Sequence, residues 1–204
     1  MPLNVLVACE YSGKVRDAFA KLGHNAMSCD LLPSDSPDGN HYKGDVSKVL
    51  NSDIRWDLLI GHPPCTFLSN SGVSWLHKSE GRWGDMRRGA RFFKYLWESD
   101  IKHIAIENPI MHGYAKKIIG GTQSQVVQPF HFGHKECKAT CLWLKNLPDL
   151  VPTDNVKDET MALPARDRQR LHYLPPSPER AKLRSETYQG LADAMAVQWS
   201  AWLA

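Results

Sequence analysis

The sequence predicts an α/β fold whose main strands run parallel. Three observations lead there. Short apolar runs recur at Asn4 to Cys9, Leu58 to Ile60 and Ile101 to Ile106. The run at Leu58 to Ile60 is continuously apolar, as strands covered on both faces are. Amphipathic helical stretches separate the strands, as parallel connections require. Chemistry-bearing residues stand at the carboxyl ends of these strands, where open α/β sheets take their ligands.

The chain has 204 residues, enough for one domain with a substantial core, and domain organisation is expected to be a single unit over 1–204. It is 42% hydrophobic and 23% charged, an ordinary globular composition. A net charge of +3 and a pI of about 8.6 permit nucleic-acid binding without requiring it. No apolar run is long enough to cross a membrane. Met1-Pro2-Leu3-Asn4-Val5 enters a strand pattern directly, without a charged leader, so a cytoplasmic location and reduced thiols are expected. The count of five cysteines is odd, which agrees with reduced thiols. Cys137 and Cys141 share one strand face, but no pair with zinc spacing accompanies them, so no metal is expected.

Asn4 to Cys9 reads as the first strand and Glu10-Tyr11-Ser12-Gly13 as its turn. Val15, Ala18, Phe19 and Leu22 recur at helical spacing, and Gly23 supplies the stop. A weak second strand, Asn25 to Ser28, leads to Cys29-Asp30. A small-residue turn after strand one and an acid after strand two suit a nucleotide-type ligand, although a turn with one glycine is a weak signal and Asp30 serves equally as a solvated loop acid. Pro33 to Lys43 reads as a loop. Asp45 then caps a short helix to Leu50, or accepts a hydrogen bond from an adenine amino group.

The strand Leu58 to Ile60 runs into Gly61-His62-Pro63-Pro64-Cys65. Two prolines stop a strand and stiffen its turn, so Cys65 is either a nucleophile held at the sheet edge or a buried structural thiol. Asn70 to Trp83 reads as a loop that closes on substrate. A helix follows from about Asp85 to Glu98, with Met86, Ala90, Phe93 and Trp97 as its apolar stripe and Arg87, Arg88, Arg91 and Lys94 on a solvated face. Ile101 to Ile106 ends in Glu107-Asn108-Pro109. A right-handed crossover places Glu107 on the same edge as Cys65, as a fixed hydrogen-bonding acid or as a cap for a helix at Gly113 to Ile119. Val126 to Phe132 and Ala139 to Leu144 read as a hairpin, Leu147 to Arg184 as an irregular excursion, and Tyr188 to Trp202 as a helix with Leu191, Met195, Gln198 and Trp202 on one face.

Pro64-Cys65 after a strand and Glu107-Asn108 further on, behind a strand-turn-helix and Asp30, resemble the C5-cytosine DNA methyltransferases in the compact form carried by phages and prophages. The resemblance covers residues 4 to about 146 and about 184 to the end. It implies a Rossmann-like sheet with helices on both faces that binds S-adenosylmethionine, with the target-recognition domain nearly absent. By resemblance, Cys9, Glu10, Ser12 and Gly13 line the methionine-side turn. Asp30 takes the ribose, Asp45 and Val46 the adenine, and Pro64 lies beside the cofactor. Cys65 attacks carbon 6 of cytosine and Glu107 holds ring nitrogen 3, with Asn108, Pro109 and Lys138 on the substrate side. DNA is the implied partner, and protection of phage DNA is an expectation of the resemblance alone.

The chain departs from the family at several points. Cys9 stands where the family has glycine, only Lys138 keeps a cation of the Gln-x-Arg-x-Arg segment, and Gly190-Leu191-Ala192 replaces Gly-Asn-Ala. Residues 147–184 stand in place of a target-recognition domain. Sequence recognition is therefore reduced, done by those few residues, or supplied by a separate specificity partner. Three readings follow: a cytosine C5 methyltransferase on DNA, the same chemistry on RNA or a nucleotide, and a non-catalytic protein that binds S-adenosylmethionine or DNA.

Overall fold

The computed structural model describes the backbone of residues 1–204 and every side chain except those of Pro178, Glu179 and Ala181. Seven strands form one sheet: β1 (Asn4–Ala8), β2 (Asn25–Asp30), β3 (His41–Lys43), β4 (Leu58–Gly61), β5 (His103–Pro109), β6 (Gln125–Val127) and β7 (Thr140–Lys145). Their order is β3-β2-β1-β4-β5-β7-β6. The first five in that order run parallel to one another, and β7 is antiparallel to both β5 and β6. The chain steps outward from β1 to β3, then returns to the other side of β1 for β4 and β5. The strand order therefore reverses between β1 and β4, and a crevice opens at their carboxyl ends.

Side-chain alternation splits the core into two layers. Leu6, Ala8, Leu59, Ile104 and Ile106 face one side, where α2 (Val46–Leu50), α3 (Arg82–Trp97) and α4 (Gly113–Ile119) cover them. Val5, Val7, Leu58, Ile60 and Ala105 face the other, under α1 (Lys14–Lys21) and α9 (Gln189–Leu203). Phe19 of α1 and Trp199 of α9 are fully buried there. Burying a side chain such as Phe19 stabilises by about 2–3 kcal/mol. Helices on both faces of a mostly parallel sheet make this a Rossmann-like fold.

Several elements differ from the sequence reading, each for a physical reason. The loop Pro33 to Lys43 contains β3, a three-residue, largely exposed edge strand too short to carry a period. The Asn70 to Trp83 loop is mostly a 3-10 helix, Asn70–His77, anchored by the buried Leu76 and followed by a His77, Trp83 and Tyr114 aromatic cluster. On α3 the buried stripe is completed by Leu96 rather than Trp97. Glu107 and Asn108 belong to β5 itself, because β7 pairs with it as far as Pro109. Val126 to Phe132 is strand only to Val127, since Pro129 cannot donate to a ladder and opens a 3-10 turn. On α9, Trp199 is buried while Trp202 is exposed, and Gln198 binds the Val151 backbone through both ends of its amide, at 2.8 Å each. The segment 147–184 contains four short helices, α5 (Lys157–Ala162), α6 (Ala165–Arg168), α7 (Arg170–Tyr173) and α8 (Pro178–Ser185).

Candidate active site

The turn after β1 is shaped by two residues with positive φ, Cys9 at 60° and Gly13 at 76°. A side chain in this left-handed region costs roughly 1–2 kcal/mol, which is the reason a glycine suits the first position. Burial pushes the Cys9 thiol up to about 12, with the Asp30 charge adding to it. The Glu10 carboxylate accepts from the Val15 N–H at 2.7 Å and the Arg16 N–H at 3.2 Å. Ser12 Oγ donates to the same carboxylate at 3.3 Å. Glu10 thus answers the open N–H groups at the start of α1, the place where an anion is otherwise favoured.

Asp30 closes β2, and its Oδ1 accepts from the Leu32 N–H at 2.9 Å. Asp45 is the cap of α2 and accepts from the Ser47 N–H at 2.8 Å, a bond that holds its carboxyl below the usual range. Val46 is buried beside it. These residues stand at the ends of neighbouring strands, next to the β1 turn. The sequence reading missed Arg16, which is fully buried. It donates to Asp17 at 2.7 Å, Ser28 at 3.0 Å, Ser34 at 3.3 Å and the Ser36 carbonyl at 3.0 Å. It fastens the loop before β3 against β2. Its signal was present in the spacing: Arg16 lies three residues before Phe19, on the buried side of the helix.

On the other side of the crevice, the His62 N–H donates to the Ala8 carbonyl at 2.9 Å, just past β4. Pro63 is buried, Pro64 is exposed, and the Cys65 carbonyl accepts from the N–H groups of Leu68 and Ser69. This turn is stitched to the end of β5. Asn108 Nδ2 donates to the Pro63 carbonyl at 3.1 Å, the Asn70 N–H to Ile110 at 2.7 Å and the His112 N–H to Leu68 at 3.1 Å. His112, another residue the sequence reading passed over, also binds the Phe67 carbonyl at 3.1 Å. Pro109 ends the strand opposite Thr140.

Glu107 lies beside His62, with Nδ1–H donating to Oε2 at 3.0 Å, and the two side chains are only 12% and 8% exposed. Burial pushes the Glu107 carboxyl up, but the bond from His62 and the charge of Lys138 outweigh it and hold the group below the usual carboxylate range. Burial also works against a charged His62, and the Glu107 bond and charge reverse that and raise it. Each partner thus favours the charged form of the other. Burial raises the Cys65 thiol and the Glu107 charge adds to this, while Lys138 and Arg184 pull the other way. The cysteine therefore rests as a thiol. The Lys138 ammonium donates to the carbonyls of Arg184 at 2.7 Å and Glu186 at 3.3 Å.

The end of α8 and the residues after it cross the mouth of the crevice. Tyr11 meets Ser185 Oγ at 2.9 Å, Lys14 pairs with Glu186 at 2.8 Å, and Lys182 pairs with Asp35 at 2.8 Å. Behind this strap, a space of about 40 Å³ is lined by Cys9, Glu10, Tyr11, Ser12, His62 and residues Ser185 to Thr187. That is room for about one water. The carboxylates at the ends of β2 and β3 are acceptors of the kind that the hydroxyl and amino groups of a nucleoside require. A group of that size occupies several hundred Å³, more than this space offers with Ser185 to Thr187 in place. A wider hollow of about 850 Å³ lies at the opposite edge, where Asp57 and His103 mark the amino ends of β4 and β5. It contains none of these site residues.

No family model matches the chain, and no curated protein matches it by sequence. Solved structures resemble it distantly. One is assigned as a DNA modification methyltransferase encoded within a prophage (E. coli), at 19% identity over 80% of this chain, with a TM-score of 0.47. Another is the Entamoeba histolytica methyltransferase EhMeth, at 17% identity over 76%, with a TM-score of 0.49. A third is WbdD in a co-crystal with a kinase inhibitor, at 14% identity over 76%, with a TM-score of 0.40. The chain spans 56%, 58% and 38% of the lengths of those three chains. The fold assignment accordingly rests on the sheet order and helix placement described above.

Proposed function

We propose that this protein is a methyltransferase that uses S-adenosylmethionine and acts on carbon 5 of cytosine in DNA. One observation carries the reading: Cys65 follows β4 and Glu107 lies near the carboxyl end of the adjacent parallel strand β5, and Asn108 ties the cysteine turn to the strand of the acid. Carbon 5 of a pyrimidine is inert until a nucleophile adds at carbon 6, and a thiolate adds reversibly. Glu107 would hold ring nitrogen 3 and the exocyclic amine. Asp30 and Asp45 would hold the ribose and adenine of the cofactor, which supplies an electrophilic methyl group when bound. A base inside a duplex must be flipped out to reach this edge. Residues 147–184 are the segment available to recognise the surrounding DNA, alone or with a specificity partner.

The test is DNA containing 5-fluorocytosine, incubated with S-adenosylmethionine and the protein. Fluorine does not leave as a proton does, so the enzyme stalls as a covalent adduct. A stable shifted band, absent in Cys65→Ser, is the expected result. No adduct, with S-adenosylmethionine binding intact, would overturn the DNA reading and direct the same assay to RNA and cytidine nucleotides. Full biological effect of Cys65→Ser would instead favour a non-catalytic protein.

A further inference from the structure

We propose that His62 is a positioning residue that supplies Glu107 with the proton Glu107 gives to the substrate ring. The inference rests on the cytosine C5 reading above and deepens it. His62 Nδ1 is 3.0 Å from Glu107 Oε2, and both side chains are nearly enclosed. The main chain fixes the imidazole, since its own N–H is bound to Ala8 and the next residue is the buried Pro63. Its other ring nitrogen, Nε2, is buried and has no hydrogen-bond partner among the described residues. An unanswered buried polar atom of this kind is costly, and its retention points to a partner that arrives with function. His62 lines the narrow crevice between β1 and β4. With Nδ1 on Glu107, the Nε2 edge is what remains to meet a water or ligand atom there.

The groups acting on His62 come from three elements. Glu107 of β5 and Glu10 of the β1 turn favour its charged form, and Lys138, just before β7, opposes it. A carboxylate held below the usual range, as Glu107 is, rarely carries a proton at neutral pH by itself. Joined to an imidazolium, it forms a pair that holds one transferable proton.

The step balances as follows. Cys65 Sγ, once its thiol proton has passed to solvent, bonds to carbon 6 as the thiolate. The electron pair of the C5–C6 double bond moves to C4–C5, and that of C4–N3 moves to nitrogen 3. The proton on His62 Nδ1 passes to Glu107 and from Glu107 to nitrogen 3, leaving a neutral imidazole beside a carboxylate. Once carbon 5 carries the methyl group and has lost its proton to water, the C5–C6 double bond re-forms as the Sγ–C6 bond breaks, and the proton on nitrogen 3 returns through Glu107 to His62. Exchange between the pair and crevice water passes through Nε2.

The test measures single-turnover adduct formation on 5-fluorocytosine DNA across pH 5–9, for wild type and His62→Asn, with calorimetric binding of S-adenosylhomocysteine alongside. Asparagine keeps a donor toward Glu107 but holds no transferable proton. Adduct formation should slow about 100-fold at pH 8, the scale of a lost acid catalyst. The rate should recover toward low pH, where Glu107 protonates by itself, and S-adenosylhomocysteine binding should stay within about 3-fold. Equal pH profiles, a uniform fall at every pH, or a loss confined to S-adenosylhomocysteine affinity would each overturn the proposal. A second measurement needs no variant: imidazole ¹⁵N NMR of the wild type should report His62 as imidazolium at rest and neutral in the trapped adduct, and an unchanged signal would also overturn it. If wild type forms no adduct at all, the C5 reading fails first, and that outcome is distinct from any difference between wild type and variant.

Discussion

Asn108 Nδ2 donates to the Pro63 carbonyl at 3.1 Å, and this bond joins the turn that carries Cys65 to the strand that carries Glu107. Asn108 is 1% exposed, so water does not replace the bond when the amide is removed. Asn108→Ala should cost about 1–3 kcal/mol in urea unfolding, the scale of a stranded buried carbonyl. It should also slow adduct formation on 5-fluorocytosine DNA, because the two reacting groups lose their common support. Unchanged stability together with unchanged adduct rate would leave Asn108 without the bracing role.

The His62 and Glu107 pair should give stability a defined pH window. The Glu107 carboxyl is lowered in the fold, so its contribution is present above the unfolded value of about 4.3 and is lost as pH falls through the folded one. His62 is raised, so its contribution is full below the unfolded value of about 6.5 and is lost as pH rises through the folded one. Wild type should gain most from the pair between about pH 4.3 and 6.5. Denaturant midpoints of wild type and Glu107→Gln across pH 4–9 should differ most inside that window, and a pH-independent difference would contradict the ion pair.

Cys9 tests the backbone of the β1 turn. At φ 60° it holds a conformation that glycine adopts without strain. Cys9→Gly should relieve about 1 kcal/mol of strain and lose a similar amount of thiol burial, leaving the melting temperature nearly unchanged. Cys9→Val adds a branched side chain in the left-handed region and should cost about 2 kcal/mol or more. Thermal unfolding of the two variants checks the contrast.

Gly190 tests the approach of α9 to the 3-10 turn at Phe132. A methyl group at Gly190 would collide with the Phe132 carbonyl oxygen, a backbone atom that cannot swing aside. The Gly190 N–H is also bound to His134 Nε2 at 3.0 Å. Gly190→Ala should cost about 3 kcal/mol, which for a chain of this size is roughly 6–12 °C in melting temperature. Gly113→Ala, where nothing lies within 4 Å, serves as the control.

Much of the fold was legible because its strands announce themselves locally. Leu58 to Ile60 is buried on both sides and reads as such, and the dipeptides Pro64-Cys65 and Glu107-Asn108 mark where two strands end. Elements held by distant contacts were not legible. The strand β3 exists because Ser28 and Cys29 of β2 pair with it. Trp199 and Trp202 are equally apolar, and only the packing of α9 on the sheet decides which one is buried. The bond from Lys138 to the Arg184 carbonyl, 46 residues on, has no counterpart in the local sequence. By itself the sequence determined the alternation of strands and helices, and hence which chemical groups stand at the sheet's carboxyl edge, since strand burial and turn chemistry are local properties. Only the tertiary structure decided that His62 meets Glu107, that Asn108 meets Pro63 and that Ser185 to Thr187 close the crevice. Such pairings depend on strand order and on chain segments brought together across 45 residues or more, and no local pattern encodes them.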